Sequence, residues 1–213
     1  MKNALVLCSG GIDSVVTAYF VKRNLKYEKI RIIFFNYGQK SLLAERKYSK
    51  ECAKKINAKF LEIKIDWIGK ISSSLINKEG KIKKLKIMGL KNTQNESQKF
   101  YVPCRNTIFL TYVLTLAESF FIKNKEINNI FVGFKNEGKE NYPDTTKEFV
   151  SQVNRLSKIS CSHNFKIIAP LIKKDKEDII SLGRKLNLDF TKTFSCYLGK
   201  KEHCGFCLAC RLR

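Results

Sequence analysis

With 213 residues, 44% of them hydrophobic and 11% aromatic, the chain is long enough to bury one α/β core and too apolar to stay disordered. Its net charge of +22, from 41 Lys and Arg against 19 Asp and Glu, suits an anionic ligand. The lysines are spread along the whole chain beside abundant Asn and Ile, which points to compositional drift rather than to a nucleic-acid footprint. Met1-Lys2 leads at once into a strand without a signal peptide, and the longest apolar stretch, 108–122, is too short for a bilayer and interrupted by Glu118, so no membrane role and a cytoplasmic location are expected.

In chain order, Ala4 to Leu7 predicts a short buried strand and Val15 to Val21 the start of a helix. Between them stands Ser9-Gly10-Gly11-Ile12-Asp13-Ser14. Two glycines let the backbone turn sharply and approach an anion, and the amides then face it from a helix N-terminus. Ser9 and Ser14 add hydroxyl donors, and Asp13 orders the loop or meets a phosphate-bound cation. Cys8 and Thr17 flank the loop and complete the expected ATP-binding set, although Cys8, like Cys52, also falls at a core position. No GKS or GKT follows, which excludes the kinase-type phosphate loop. The SGGxDS pattern resembles the pyrophosphate loop of ATP-pyrophosphatases, enzymes that split ATP into AMP and pyrophosphate while adenylating a substrate.

Ile30 to Asn36 predicts a second strand, 42–56 an amphipathic helix and 60–65 a third strand. The polar, lysine-rich stretch 69–98 breaks the rhythm and reads as a lid or a flexible insertion. A buried helix over 106–123, a strand at 130–133, a helix over 148–160, a strand at 165–169 and a helix over 175–186 follow, with Asp175 as N-cap of the last. Five strands with intervening helices give a doubly wound, mostly parallel, Rossmann-like α/β sheet, covering residues 1–190. The rule that ligands sit beyond the carboxyl ends of such strands gathers the loops at 8–14, 36–40, 66–105 and 134–144 around one cleft.

Residues 191–213 form a separate small segment carrying Cys196, Cys204, Cys207 and Cys210. Four thiolates at this spacing suit one tetrahedral zinc, with Gly205 placed for the turn inside the first Cys-x2-Cys. A full set of sulfurs makes the ion structural and leaves His203 an exposed bystander. Of the other cysteines, Cys161 reads as a surface or helix-end residue, and Cys104 lies in the cleft without a histidine to activate it.

Beside the first loop stand Asn36-Tyr37-Gly38-Gln39, Tyr101-Val102-Pro103-Cys104-Arg105-Asn106, Tyr142-Pro143-Asp144, Ala169-Pro170-Leu171-Ile172 and the terminal cysteine run ending Arg211-Leu212-Arg213. In this order, from residue 4 to 213, they resemble the 7-cyano-7-deazaguanine synthase family of the queuosine pathway, with the sheet of the adenine nucleotide alpha hydrolase type. The resemblance implies a nitrile synthesis: ATP adenylates 7-carboxy-7-deazaguanine, ammonia displaces AMP to give an amide, and a second activation dehydrates it. It implies magnesium with the ATP, zinc on the four cysteines, phosphates held by Ser9, Gly10, Gly11, Asp13 and Ser14, and a possible homodimer. Arg105, with Asp13 and Ser14, is then the expected catalytic set; Arg105 pairs with a carboxylate or with charge developing at phosphorus. Tyr142 or Phe134 stacks on a purine-like face, and Asp144 accepts from an amidine edge. The competing roles are a surface ion pair for Arg105, core packing for the aromatics and a helix cap near Thr145 for Asp144.

One departure stands out. The family carries an Asp after strand four and a Ser-Gly pair before Tyr-Pro-Asp, where this chain has Gly138 and Glu140-Asn141, with Glu137 or Glu140 left to compensate. That change keeps open an offshoot joining a deazaguanine carboxylate to a protein or other amine. Two further readings are tRNA thiolation, for which the committed cysteines leave Cys104 without a partner, and a zinc-bearing nucleic-acid-binding protein, which leaves the Ser-Gly-Gly loop unexplained.

Overall fold

The structure, a computed structural model, describes residues 2–80, 82, 84–85, 93–135 and 142–213. Five strands, β1 (Asn3–Leu7), β2 (Lys29–Asn36), β3 (Lys59–Lys64), β4 (Asn128–Phe131) and β5 (Ile167–Ile168), pair in the order β3-β2-β1-β4-β5, all parallel. The expected doubly wound sheet is therefore present. The chain winds outward from β1 to β3, then crosses back to β4 and β5. The switch point lies between β1 and β4, where such sheets open a crevice at their carboxyl ends.

Side-chain alternation divides the core. Ala4 and Val6 of β1, with Ile30 and Ile32 of β2, pack against α1 (Ile12–Arg23), α2 (Leu42–Lys55) and α7 (Lys176–Lys185). Leu5 and Leu7, with Ile33 and Phe35, face α5 (Arg105–Asn124) and α6 (Lys147–Ser160). Both faces are covered, so each strand reads as nearly continuous apolar residues. Asp175 caps α7 as expected, accepting from the Asp178 amide at 2.8 Å.

Three elements differ from the sequence reading. The fifth strand shrinks to two residues, with Phe165 buried beside it rather than in the ladder. The fourth begins at Asn128, because buried Asn128 holds Arg31 and the Glu126 carbonyl rather than marking a loop. Within 69–98 the described residues include α4 (Gln94–Gln98), and α3 (Trp67–Ile71) overlaps its start; Ile76 and Leu85 are buried against the core. Five-residue helices are too short to produce a periodic signal.

At the amino ends of the strands, Glu126 is bound by Arg31 through both guanidinium nitrogens and by Lys29 at 2.6 Å. Arg31 holds the Glu126 carboxyl down to about 2. The folded value lies below the unfolded one, so this stability is present above the ordinary carboxylate pKa and lost as pH falls toward 2. In denaturant titrations, wild type is expected to lose about 3 kcal/mol from this group between pH 5 and pH 2, and Glu126→Gln is expected to flatten that slope while lowering stability at pH 7.

Candidate active site and metal centre

Gly10 adopts φ +83°, and a Cβ there would lie 2.9 Å from the Glu45 carbonyl and 3.0 Å from the Ser49 amide. The loop can pass this close to α2 only as glycine. Gly11 then occupies the N-cap of α1 without a capping side chain, leaving the first-turn amides for a ligand. Ser14 Oγ donates to the Gly11 carbonyl at 3.0 Å and accepts from the Ser9 amide at 3.2 Å; Ser9 Oγ lies 3.4 Å away. The loop is thus closed on itself through hydroxyls. From the other side, a Cβ on Gly133 would come within 3.0 Å of the Asp13 and Ser14 backbone, so the end of β4 abuts the same corner.

The corner opens on a cleft of about 360 Å³. It is lined by Cys8, Ser9, Gly11, Asp13 and Ser14, by Tyr37, Ser41 and Glu45, by Ser97 and Arg105, by Phe134, Lys135 and Tyr142, and by Lys176 and Arg213. All four loop groups expected around one cleft contribute.

Arg105 sits at the start of α5, its guanidinium over the faces of Tyr37 (5.5 Å) and Phe109 (5.8 Å), and donates to the Tyr37 hydroxyl at 3.3 Å and the Asn106 side chain at 3.3 Å. It is no surface ion pair. Burial pushes Tyr37 up to about 12, so the phenol stays neutral beside the cation. Tyr142 stacks on Tyr101 at 5.7 Å and donates to the Ser97 carbonyl at 2.9 Å, while Phe134 is nearly buried against Phe149.

Several expected residues stand elsewhere. Thr17 is buried, donates to the Asp13 carbonyl at 2.9 Å and does not line the cleft; on the helix's inner face it serves packing. Gly10 serves by its close packing rather than as lining. Cys104 lies outside the cleft, exposed, in a left-handed conformation at φ +52°. Asp144 caps a helix, but α5 rather than α6: its Oδ2 accepts from the Asn106 amide at 3.1 Å, and its carbonyl accepts from the Asn106 side chain at 3.2 Å. Thr146 caps α6, accepting from the Phe149 amide. The second Asp144 oxygen, Oδ1, is buried with no partner among the described residues. Cys8 lines the cleft, its thiol donating to the Ser14 hydroxyl at 3.6 Å, and the neighbouring Cys52 holds it below the usual thiol range. Glu137, Gly138, Glu140 and Asn141 lie outside the described residues.

Two residues escaped the sequence reading. Lys176, at the first position of α7, lines the cleft and reaches Asp13 Oδ1 at 2.6 Å. Its only signal was the run Lys173 to Lys176, which reads as a solvated charge cluster. Glu45, in the first turn of α2, accepts from the Ser41 hydroxyl at 2.6 Å and the Gln39 side chain at 3.0 Å. It looked like an ordinary polar position of an amphipathic helix.

The sulfurs of Cys196, Cys204, Cys207 and Cys210 all lie within 4.8 Å of one another. A tetrahedral ion with bonds of about 2.3 Å sets sulfurs about 3.8 Å apart, and Cys204 and Cys210 stand at 3.8 Å. The cluster can therefore hold one metal ion. Gly205 turns at φ +74°, and the Cys207 amide donates to the Cys204 sulfur at 3.3 Å. His203 is half-buried rather than exposed: it packs against Phe194, its Nε2 accepts from the Ser195 amide at 3.2 Å, and it stands outside the four-sulfur group.

A parallel sheet in this order, with a Ser-Gly-Gly corner at its switch point and four clustered cysteines in the terminal segment, defines a doubly wound α/β protein. The model of the family "Queuosine biosynthesis protein QueC" matches residues 3–213, and the chain belongs to that family. Among curated relatives, 7-cyano-7-deazaguanine synthase of Methanobrevibacter smithii is 34% identical over 100% of this chain and 91% of its own length. The protein of that name from Nitratiruptor is 37% identical over 99% and 91%. Among solved structures, a tRNA thiolase of Methanococcus maripaludis is 16% identical with a TM-score of 0.49, spanning 99% of this chain and 63% of that one. Among the described residues, no helix is long and apolar enough to cross a membrane.

Cys207→Ser is expected to lower bound metal per chain and thermal stability together, with a midpoint shift of roughly 10 °C if several kcal/mol of binding energy is lost. Metal analysis beside a melting curve checks this; unchanged stability with metal absent would separate the cluster from the fold.

Proposed function

We propose that the chain is a carbon–nitrogen ligase, a 7-cyano-7-deazaguanine synthase. ATP adenylates the carboxylate of 7-carboxy-7-deazaguanine, ammonia displaces AMP to give the amide, and a second activation dehydrates that amide to the nitrile. The observation that carries this reading is the convergence of the Ser9–Ser14 corner, Lys176 and Arg105 on one cleft in a member of the QueC family.

The chemistry follows from the groups present. Attack on the α-phosphorus releases pyrophosphate, so negative charge must be stabilised first at phosphorus and then on the leaving group. The first-turn amides of α1, with the hydroxyls of Ser9 and Ser14, form the donor cradle, and Lys176, beside the loop on the neighbouring α7, adds a cation. Asp13 holds Lys176 in place and is the carboxylate positioned in the loop to meet magnesium carried by the nucleotide. Arg105 retains donors beyond those spent on Tyr37 and Asn106, and these suit the substrate carboxylate. The Tyr101–Tyr142 stack offers a flat aromatic edge for the deazaguanine, with Phe134 closing the apolar wall. Asp144 does not itself line the cleft, and its Oδ1, without a partner among the described residues, is the acceptor assigned here to the amidine N–H groups.

The four cysteines would hold zinc, a donor set closed to substrate, and the ion would supply folding energy to 191–213. The stretch 69–98 contributes Ile76 and Ser97 to the cleft wall, a position suited to a lid.

AMP release from ATP is expected to require both 7-carboxy-7-deazaguanine and ammonium, with a product of nitrile mass. A product bearing a protein amine would select the offshoot, and salt-dependent RNA retention without ATP turnover would select the nucleic-acid reading. Asp13→Asn and Ser14→Ala are each expected to abolish AMP formation without unfolding the protein, the lost loop contacts lowering the melting temperature by no more than a few degrees. Full turnover by either variant removes the phosphate-loop assignment.

A further inference from the structure

Two carboxylates line the cleft, and their surroundings differ. Asp13 is neutralised by Lys176 at 2.6 Å. Glu45, on the α2 wall, has only neutral donors: the Ser41 hydroxyl on Oε1 and the Gln39 side chain on Oε2. No lysine or arginine among the described residues forms an ion pair with it, in a chain of net charge +22. Gln39 is itself locked, donating to the Phe35 carbonyl at 3.0 Å and accepting from the Tyr37 amide at 2.9 Å, so the carboxylate is held in one orientation. The charged and titratable groups facing it are Arg105 from α5 and Tyr37 from the loop after β2.

A half-buried carboxylate with no ion-pair partner among the described residues is costly unless its charge is used. Each oxygen has accepted one bond and keeps a lone pair for another donor. The other two reactants, ATP and an aromatic carboxylate, are anions and would be repelled. Ammonium, a cation about the size of water at neutral pH, is the reactant that fits.

Resting on the synthase reading above, we propose that Glu45, oriented by Ser41 and Gln39, docks ammonium in the cleft and takes its proton. Burial holds the Glu45 carboxyl above the ordinary range, which favours that transfer. The proton leaves nitrogen for a Glu45 oxygen, and the freed lone pair attacks the acyl carbon of the adenylate. The C–N bond forms, the bond from that carbon to the phosphate oxygen breaks, and AMP departs with the electron pair. Nitrogen's second proton passes to solvent as the amide forms, and Glu45 then returns its own to solvent.

The test uses the metal-loaded full chain with three measurements. Carboxylate-dependent exchange of pyrophosphate into ATP needs no ammonia. Turnover against ammonium reports the nitrogen site, and turnover against hydroxylamine, neutral at assay pH, needs no proton removed before attack. Glu45→Gln is expected to keep exchange within about twofold, to raise the KM for ammonium at least about tenfold and to keep hydroxylamine turnover within about threefold, with Glu45→Asp recovering part of the ammonium effect. An unchanged KM for ammonium overturns the proposal. So does an equal loss with hydroxylamine and ammonium, or an Asp variant no better than Gln, since either marks a structural role. Absence of exchange in the wild type refutes the synthase reading instead.

Discussion

A single backbone bond, from the Phe194 amide to the Gly10 carbonyl at 2.8 Å, joins the two ends of the chain at the point where phosphate chemistry is expected. Gly10 is the residue whose left-handed turn shapes the corner, and Phe194 lies two residues before the first clustered cysteine. The terminal segment grips elsewhere too. Gly199 at φ +65° sits so close to Lys40 and Ser41 that a Cβ would lie 2.2 Å from the Lys40 carbonyl, and the Phe206 carbonyl accepts from the Leu85 amide. Arg213 binds the Phe190 carbonyl at 2.8 Å and Thr193 Oγ1 at 2.7 Å. A segment too short to fold alone is thereby laid across the corner, α2 and the insertion at once. Metal binding by its cysteines would act on the cleft through those contacts, with no need for the ion to touch a reactant.

The corner is also shaped by what cannot be there. Gly10 against α2 and Gly133 against the Asp13–Ser14 backbone leave no room for side chains, so the loop is clamped by backbone on both sides. Rigid donors stabilise developing charge without reorganising when it appears. The full charge comes from a separate element, Lys176 on α7, whose start is fixed by the Asp175 cap. α7 packs beside α1 on one face of the sheet, which brings Lys176 to the loop at the start of α1.

The legible parts of the sequence are those written locally. The β1 run, the Ser-Gly-Gly turn, the Asp175 cap and the Cys-x2-Cys-x2-Cys spacing each act over a few residues, and each fixes a local geometry. Lys176 and Asp13 are 163 positions apart, and Asp144 caps a helix that begins 39 residues before it; neither pairing has a local signature. The capping role that competes with substrate binding for Asp144 belongs, by sequence position, to the helix that follows it, whereas the fold gives that task to Thr146. Thr17 was misplaced for a related reason: spacing alone does not show which face of α1 turns to the crevice, and its hydroxyl is spent on the Asp13 carbonyl.

Asp144 also bears on how the cleft divides its labour. Its Oδ2 is spent on the Asn106 amide, and that bond sets the start of α5 and hence the place of Arg105, one residue earlier. Oδ1 is buried with no donor among the described residues, and an unpaired buried acceptor costs about 1–3 kcal/mol. A carboxylate serving only as a cap would do better turned toward solvent, as Asp175 is at α7, where the capped amide is exposed. The buried arrangement makes sense if a ligand's N–H offsets the cost on arrival. Arg105 and the ligand's hydrogen-bonding edge would then be registered by two oxygens of one side chain, so that the acid to be adenylated is held at a fixed distance from the group that recognises its ring.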